Sequence, residues 1–446
     1  MIARTAFAAA LGFCALVQPA FNAPLSAETP GEANTDPLGK RPSLSCAQDR
    51  EAAAPSSEDE QTAALHYAAC LISEANEALK TQASSLEHAN TMLVAALQME
   101  TQPSSPQPEP ASDGLIEPIA SDTISPATIG VSRRTPPSGA PDVVGSFRTF
   151  CMTSHFARVD PIVFPGRAEA GHLHRFMGNT MTDENSDYPS LRENGESSCY
   201  GGSTYRTAIW APVLFDQDDL VVIPDYTGLY YKRYPEGSVK CTDLGEACVD
   251  LPVGLRIIYG TNYALGHNQS ANVRFDCGGG PIAPTIAEAT EACDPGGKLR
   301  ASIRGPECWD GERTNSPDHQ SHLAYPSRQK NTGQLRCPTT HPLVIPTVTY
   351  FEVTTLRAGD RPQEWRYSSD RMANTEGGKT FHGDYFEAIE PEIRERFHRN
   401  CIDGLLSCVD GELGDGTKLK RPAGFNFDAK PRLSMAEALA YRFEER

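Results

Sequence analysis

From about position 142 onward, apolar residues come in short β-rich runs. "RTAIWAPVLF", "GLYYKRY", "GLRIIYG", "NVRFDC" and "LVIPTVTYFEV" are separated by Gly, Pro, Asn and Asp clusters, a pattern of strands and turns. Helical periodicity is absent there until "SMAEALAYRFEER", which predicts a short terminal helix. Strands do not alternate with helical stretches, which argues against a doubly wound α/β domain. The pattern predicts a mainly β fold over 142–446, a disulfide-pinned β-sandwich or jelly roll with long loops. Upstream the pattern changes. Between Glu58 and Met99 there is no Pro or Gly, and Leu65, Ile72, Leu79, Leu86 and Leu93 recur every seven residues. That heptad seam predicts a long N-terminal helix over 58–100. A lone helix of this kind is marginal, so it calls for a partner, either a second copy in a coiled coil that makes a homo-oligomer or the chain's own main domain.

The remaining segments are polar or special in composition. Met1 to Arg4 followed by "TAFAAALGFCALVQPAF" reads as a cleaved signal peptide over 1–23. Residues 24–57 are rich in Pro, Ser, Ala, Glu and Asp and predict a disordered segment. Residues 101–141 are rich in Pro and Ser and predict a linker. No later stretch reaches the roughly 20 apolar residues that span a bilayer, so no membrane span is expected after signal removal.

The cysteines agree with export. Of thirteen, Cys14 falls in the signal peptide, leaving twelve that can pair in an oxidising compartment, which predicts a secreted or extracytoplasmic protein. Proximity suggests Cys241 with Cys248, Cys277 with Cys293, Cys308 with Cys337 and Cys401 with Cys408, leaving Cys151 with Cys199 and Cys46 with Cys70. Sequence alone leaves the connectivity open. No CxxC pair occurs, which disfavours a cysteine zinc site. The formal charge of −18 is spread along the mature chain and gives no nucleic-acid footprint.

Histidines carry the candidate chemistry. Eight of eleven (155, 172, 174, 267, 319, 322, 341 and 382) fall between residues 151 and 385, mostly in loop-like contexts where binding and catalysis concentrate. His172 and His174 are two apart, so on an extended segment they share a face. Asp318, His319 and His322 follow Pro317, and the i, i+3 spacing puts both imidazoles on one side of a turn. Asp310 follows Trp309 and precedes Gly311, a turn that presents an acid beside an indole. His382, Asp384 and Tyr385 bring an imidazole, an acid and a phenol together, an acid/base set. These readings compete with structural ones: loop-stabilising histidines, and Trp309 packed on the Cys308 disulfide. No GxSxG, HExxH, Walker loop or dinucleotide GxGxxG is present. Asn268 to Ser270 is an N-glycosylation sequon.

Several blocks in order resemble a secreted domain family of unknown function, found in fungi and bacteria and sometimes joined to WSC domains. They are "DPIVFPG" with "GHLHRFMGN", "SSCYGGSTYRTAIWAPVLF", "ECWDG" with "DHQSHLAYP", "CPTTHPLVIPTVTYFEV" and "FHGDYF". The resemblance covers roughly 150–390, and Arg206 stands near where the family has a basic residue before an aromatic-Trp pair. Because the family has no assigned reaction, it implies a domain boundary and candidate residues but no substrate. The stretch from Gly166 to His172 and His174 is also similar to the first cupin motif, although Gly178 or Asn179 stands where that motif has an acidic ligand.

The expected function is a polysaccharide-directed activity on a loop-built histidine-rich site. Candidate catalytic residues are His172, His174, Asp310, His319, His322, His382, Asp384 and Tyr385, and candidate substrate contacts are Arg175, Arg206, Trp210 and Trp309. Two chemistries are open. A lyase would use a neutral His as base and Tyr385 as acid, with an Arg countering a uronate. A metal enzyme would hold a divalent transition metal through His172, His174, His319 and His322, with Asp384 a further ligand. The rival reading is a non-catalytic carbohydrate-binding module, with Trp210, Trp309 and tyrosines 226, 230 and 231 as stacking surfaces.

Overall fold

Two antiparallel-rich sheets carry the domain, and five of their eleven strands overlap the short apolar runs of the sequence. The computed structural model describes residues 113–139, 144–261 and 271–443. The signal peptide, the segment 24–57, the heptad helix, Cys46, Cys70 and Asn268 lie outside the described residues. In chain order the strands of the two main sheets are β1 (Gly145–Cys151), β2 (Thr153–Ala157), β3 (His174–Gly178), β4 (Ala208–Pro212), β5 (Tyr226–Arg233), β6 (Arg256–Gly260), β7 (Val273–Cys277), β8 (Lys298–Arg304), β9 (Thr347–Thr355), β10 (His382–Phe386) and β11 (Ser407–Cys408). The five-stranded sheet has the order β6-β10-β4-β3-β2, and the six-stranded sheet β7-β8-β9-β5-β1-β11. Within them only β1 and β11 pair in parallel. Smaller two- and four-stranded sheets brace the loops, and the helices are short. The fold is mainly β.

The two sheets pack face to face. Alternation along a strand sends neighbouring side chains to opposite faces, and here both faces of the five-stranded sheet are covered, so β3 and β4 are buried at every position. The inner face gives Met177, Ile209, Ala211, Ile257, Tyr259 and Tyr385 to the main core with Phe147, Leu229, Tyr231, Val348 and Tyr350 of the facing sheet. The core is also polar in places. The Arg175 guanidinium pairs with Glu352 at 2.5 Å and donates to the Tyr350 hydroxyl at 2.8 Å.

The outer face of the same sheet has its own smaller core. Phe176, Ala208, Trp210 and Phe386 pack there with Val159 and Ile162 from a covering loop and with Tyr188 and Leu191 from the short helix Tyr188–Glu193. Part of that cover comes from residues 113–139, which the sequence reading placed in a linker. Ile116 and Ile119 pack on this core, the Tyr188 hydroxyl accepts from the Ile119 N–H at 3.1 Å, and Ile129–Val131 pairs with Thr417–Leu419. Buried Arg192 and Glu390 form an ion pair whose carboxylate also accepts from the Ser121 N–H. Over 113–139 the chain is therefore part of the packed domain, because its spaced isoleucines fill a face that the strands leave apolar.

Disulfides pin the loops, four of them between the cysteines that sequence proximity paired and the fifth between the left-over Cys151 and Cys199. Cys151–Cys199, Cys241–Cys248, Cys277–Cys293, Cys308–Cys337 and Cys401–Cys408 are bonded. No helix among the described residues is long and apolar enough to cross a membrane.

Candidate metal centre

The candidate centre sits on the outer face of the five-stranded sheet. β3 supplies His174, and β10 supplies His382 and Asp384. Between them runs β4, where Trp210 lies opposite both Phe176 and Asp384 and Pro212 lies opposite His174. The loop from β2 to β3 crosses this face and adds Asp160 and His172. Gly260 on β6 pairs with His382. Its φ is +105°, and a Cβ there would come within 2.7 Å of the His382 Cα, so only glycine allows β10 to keep this position.

Five side chains form two overlapping groups of three that share His174. One ring nitrogen each from His172, His174 and His382 lie within 4.8 Å of one another, and so do single ligand atoms of Asp160, His174 and Asp384. The His172 and His174 rings are 4.1 Å apart between centroids, and those of His172 and His382 are 5.0 Å apart.

Backbone carbonyls fix two of the tautomers. His174 Nδ1 faces the Val159 carbonyl at 3.0 Å, and His382 Nδ1 faces the Thr380 carbonyl at 2.8 Å. A carbonyl can only accept, so each Nδ1 carries the proton and each Nε2 keeps a free lone pair. This is the outer-shell arrangement that orients ligating histidines. Nε2 of His174 and of His172 is buried with no hydrogen-bond partner among the described residues, as is Oδ2 of Asp384. Asp160 is braced differently, its Oδ1 accepting from the Ile162 and Val163 N–H groups at 3.0 and 2.9 Å.

The electrostatics keep the imidazoles neutral. Burial lowers His174 and His382 to about 4 each, and burial with the neighbouring imidazoles lowers His172 well below its ordinary value. The carboxyls shift the other way: burial raises Asp160 against its backbone N–H bonds, and burial plus Asp160 raises Asp384 well above the usual range. Neutral imidazoles are the ligating form, and a divalent cation among these groups would favour both carboxylates. The donor set is three imidazole nitrogens with carboxylate oxygens, suited to a divalent first-row transition metal.

A family model described as a domain of unknown function (DUF1996) matches residues 160–388. The chain belongs to that family. No curated protein and no solved structure matches it. All five converging residues, from Asp160 to Asp384, lie inside the matched stretch.

In this DUF1996 domain the other sequence candidates divide sharply. His319 lines a cavity of about 230 Å³ with Ile258, Gly260, Gln320, Leu323 and Tyr325. Ile258 is the cross-strand partner of Asp384, so that cavity adjoins the centre. His322 does not join it. Fully buried, its Nδ1 meets the Ser316 hydroxyl at 3.0 Å and its Nε2 the Arg256 carbonyl at 2.8 Å, so both nitrogens are occupied. Asp310 accepts from the Glu312 and Arg313 N–H groups and pairs with the Arg313 guanidinium at 2.8 Å, closing a turn. Trp309 is buried with its indole N–H on the Arg313 carbonyl at 2.6 Å.

Tyr385 and Arg175 belong to the inner face. The Tyr385 hydroxyl meets that of Tyr231 at 3.1 Å between the sheets, and Arg175 is spent on Glu352. Arg206 donates to the Gly195 and Arg192 carbonyls at 2.6 and 2.7 Å. Trp210 is fully buried and stacks on Phe176 with centroids 5.5 Å apart, so it forms the floor beneath the centre.

Two residues of the centre's surroundings escaped the sequence reading. Asp160 sits in the quoted "DPIVFPG", where an Asp-Pro pair reads as a turn. The signal was its place at the start of the loop that ends in His172 and His174. Arg158, whose side chain is 45% exposed and loosely paired with Glu169 at 3.9 Å, carries the cation that lowers His172 and His174 further.

Proposed function

We propose that this protein is an exported metal-dependent enzyme acting on a polysaccharide. His172, His174, His382, Asp160 and Asp384 would hold a divalent transition metal. The observation that carries the reading is the meeting of three imidazoles, two of them with Nδ1–H held by backbone carbonyls so that Nε2 bears the lone pair, with a pair of buried carboxyls. Such an ion supplies Lewis-acid polarisation of an oxygen or a bound water made nucleophilic near neutral pH. The five disulfides and the cysteine count support an oxidising, extracellular setting. The metal-dependent chemistry is favoured over a lyase that uses Tyr385 as its acid, because that phenol faces the opposite side of β10 from His382 and Asp384. A binding module finds less support. Trp210 and Trp309 are buried, and the half-buried Tyr230 ring already carries the Arg148 guanidinium 4.5 Å from its centroid.

Metal content is the direct test. Protein made through an oxidising secretory route and purified without chelator should carry a stoichiometric transition metal, lost in His174→Ala, and should convert at least one member of a polysaccharide panel in a chelator-sensitive manner. A metal-free protein that also fails to take up zinc, manganese, copper or iron overturns the proposal.

A further inference from the structure

A second site lies on the six-stranded sheet, facing away from the candidate metal centre. Along β5, β8 and β9, Tyr231, Ile303, Val348 and Tyr350 turn into the main core. Side chains alternate along a strand, so Tyr230, Lys232, Arg304, Thr347 and Thr349 point to the outer face of that sheet. All five line a cavity of about 540 Å³, within the roughly 300–1,000 Å³ common for ligand sites. The helix Val239–Leu244 adds Lys240 and Asp243 to the lining, and the hairpin of Ser327–Arg328 with Leu335–Arg336 adds Gln334 and Leu335.

Cations outnumber acids here, in a chain whose formal charge is −18. Two acids line the cavity, and both are engaged. Buried Glu307 pairs with Arg304 at 2.5 Å and accepts from the Thr347 hydroxyl, and Asp243 lies 3.9 Å from Lys240. The Arg304 and Lys240 side chains nonetheless stay 41% and 59% exposed, open to a ligand. The hairpin is basic throughout: between Asp318 and Glu352 the chain has no acidic residue, while Arg328, Lys330 and Arg336 stand exposed.

The lining also selects among anions. The Tyr230 ring carries the Arg148 guanidinium 4.5 Å from its centroid, and Tyr234 packs on the cluster around the Cys241–Cys248 and Cys308–Cys337 disulfides. Both tyrosines are thus engaged, and the stacking platform that holds nucleic-acid bases is not what this cavity offers. Guanidinium and ammonium groups beside threonine hydroxyls and the Gln334 amide fit a sugar that carries both a carboxylate and hydroxyls.

We propose that this cavity is an anchoring site for a carboxylated polysaccharide and binds a short uronate segment of it. The site stands on the far side of the two packed sheets from His174, so it does not depend on the metal reading.

Affinity electrophoresis of the full chain tests it, with polygalacturonate cast into a native gel that contains chelator. Wild-type protein should be retarded, less so as salt rises, and should run freely through the fully methyl-esterified polymer. Each exposed cation is worth roughly a factor of two, so Lys232→Gln, Lys330→Gln and Arg336→Gln together should weaken binding about eightfold. Lys330→Gln with Arg336→Gln, on the exposed hairpin alone, serves if that variant folds poorly and should weaken it about fourfold. The same change of charge away from the cavity, Arg361→Gln with Arg371→Gln and Arg399→Gln, should stay within about twofold of wild type. Equal retention of the two triple variants, retention of wild type by the methyl ester, stronger retention by dextran sulfate than by polygalacturonate, or no retention at all overturns the proposal. Retention in chelator supports it whether or not His172, His174 and His382 hold a metal.

Discussion

Replacing Asp384 by Asn should change stability in opposite directions with and without metal. The residue is 1% exposed, and its Oδ2 has no hydrogen-bond partner among the described residues. Burial and Asp160 push its carboxyl well up, so without a cation the fold carries either a buried charge or a proton taken up at a cost. An amide of nearly the same shape removes that burden. Leaving a buried polar group unsatisfied costs about 1–3 kcal/mol, so Asp384→Asn should stabilise metal-free protein by about 1–2 kcal/mol. With metal the balance reverses. A ligand at a hundred times its Kd stabilises by about 2.7 kcal/mol, and the variant, short of one anionic donor, should forfeit most of that at the same concentration. At roughly 2 °C per kcal/mol for a large domain, Tm should rise by about 2–4 °C in chelator and, once the lost metal stabilisation is set against that gain, fall about 1–3 °C behind wild type in excess zinc. Paired calorimetric scans in the two conditions measure both. A variant less stable than wild type in chelator would show that Asp384 has a structural partner, and an unchanged gap in zinc would show that it is not a ligand.

Two further predictions concern the scaffold. Arg175 and Glu352 form a buried ion pair between the sheets, and removing one partner of such a pair costs about 3–5 kcal/mol. Arg175→Met should therefore lower the urea midpoint strongly, with partial recovery when Glu352→Gln is added; if the single variant matches wild type, the pair is not what joins the sheets there. His155 is buried between the Ser154 hydroxyl at 2.9 Å and the Thr182 carbonyl at 2.9 Å, and burial lowers it from 6.5 to about 4. The folded state therefore binds this proton less readily than the unfolded chain. Its stability contribution is complete above pH 6.5 and is lost as pH falls from there toward 4, about 3 kcal/mol in all. Urea titrations at pH 7.5 and 4.5 should show that loss reduced in His155→Gln, and an equal pH dependence in the two proteins would refute the assignment.

Five of the strands and the short-range disulfide partners were suggested by the sequence because both are local facts. β-rich runs bounded by Gly, Pro, Asn and Asp give strands, and Cys241 with Cys248 or Cys401 with Cys408 lie only seven residues apart. The apolar cover supplied by 113–139 was hidden by its prolines and serines, because Ile116 and Ile119 acquire meaning only against a sheet face assembled far downstream. His172, His174, His382 and Asp384 were visible as candidates, but their convergence depends on β3 and β10 flanking β4, an order that no local pattern encodes.

Parity explains the candidates that went elsewhere. Strand side chains alternate, so within one strand a residue next to a candidate ligand points to the other face. Arg175 follows His174 and Tyr385 follows Asp384, and both turn into the core between the sheets, where Glu352 and Tyr231 meet them. Groups adjacent in the sequence of a strand are thus excluded from a shared site, while groups two apart are admitted to it. The same rule gives His382 and Asp384 one face and leaves Gly383 on the other. His319 and His322 obey a different geometry, since a turn with His319 at positive φ separates them, and His322, bonded at both nitrogens, holds that loop in place. A chemical role in this domain therefore follows from which face or turn position a residue occupies, and nearness along the chain is a poor guide to it.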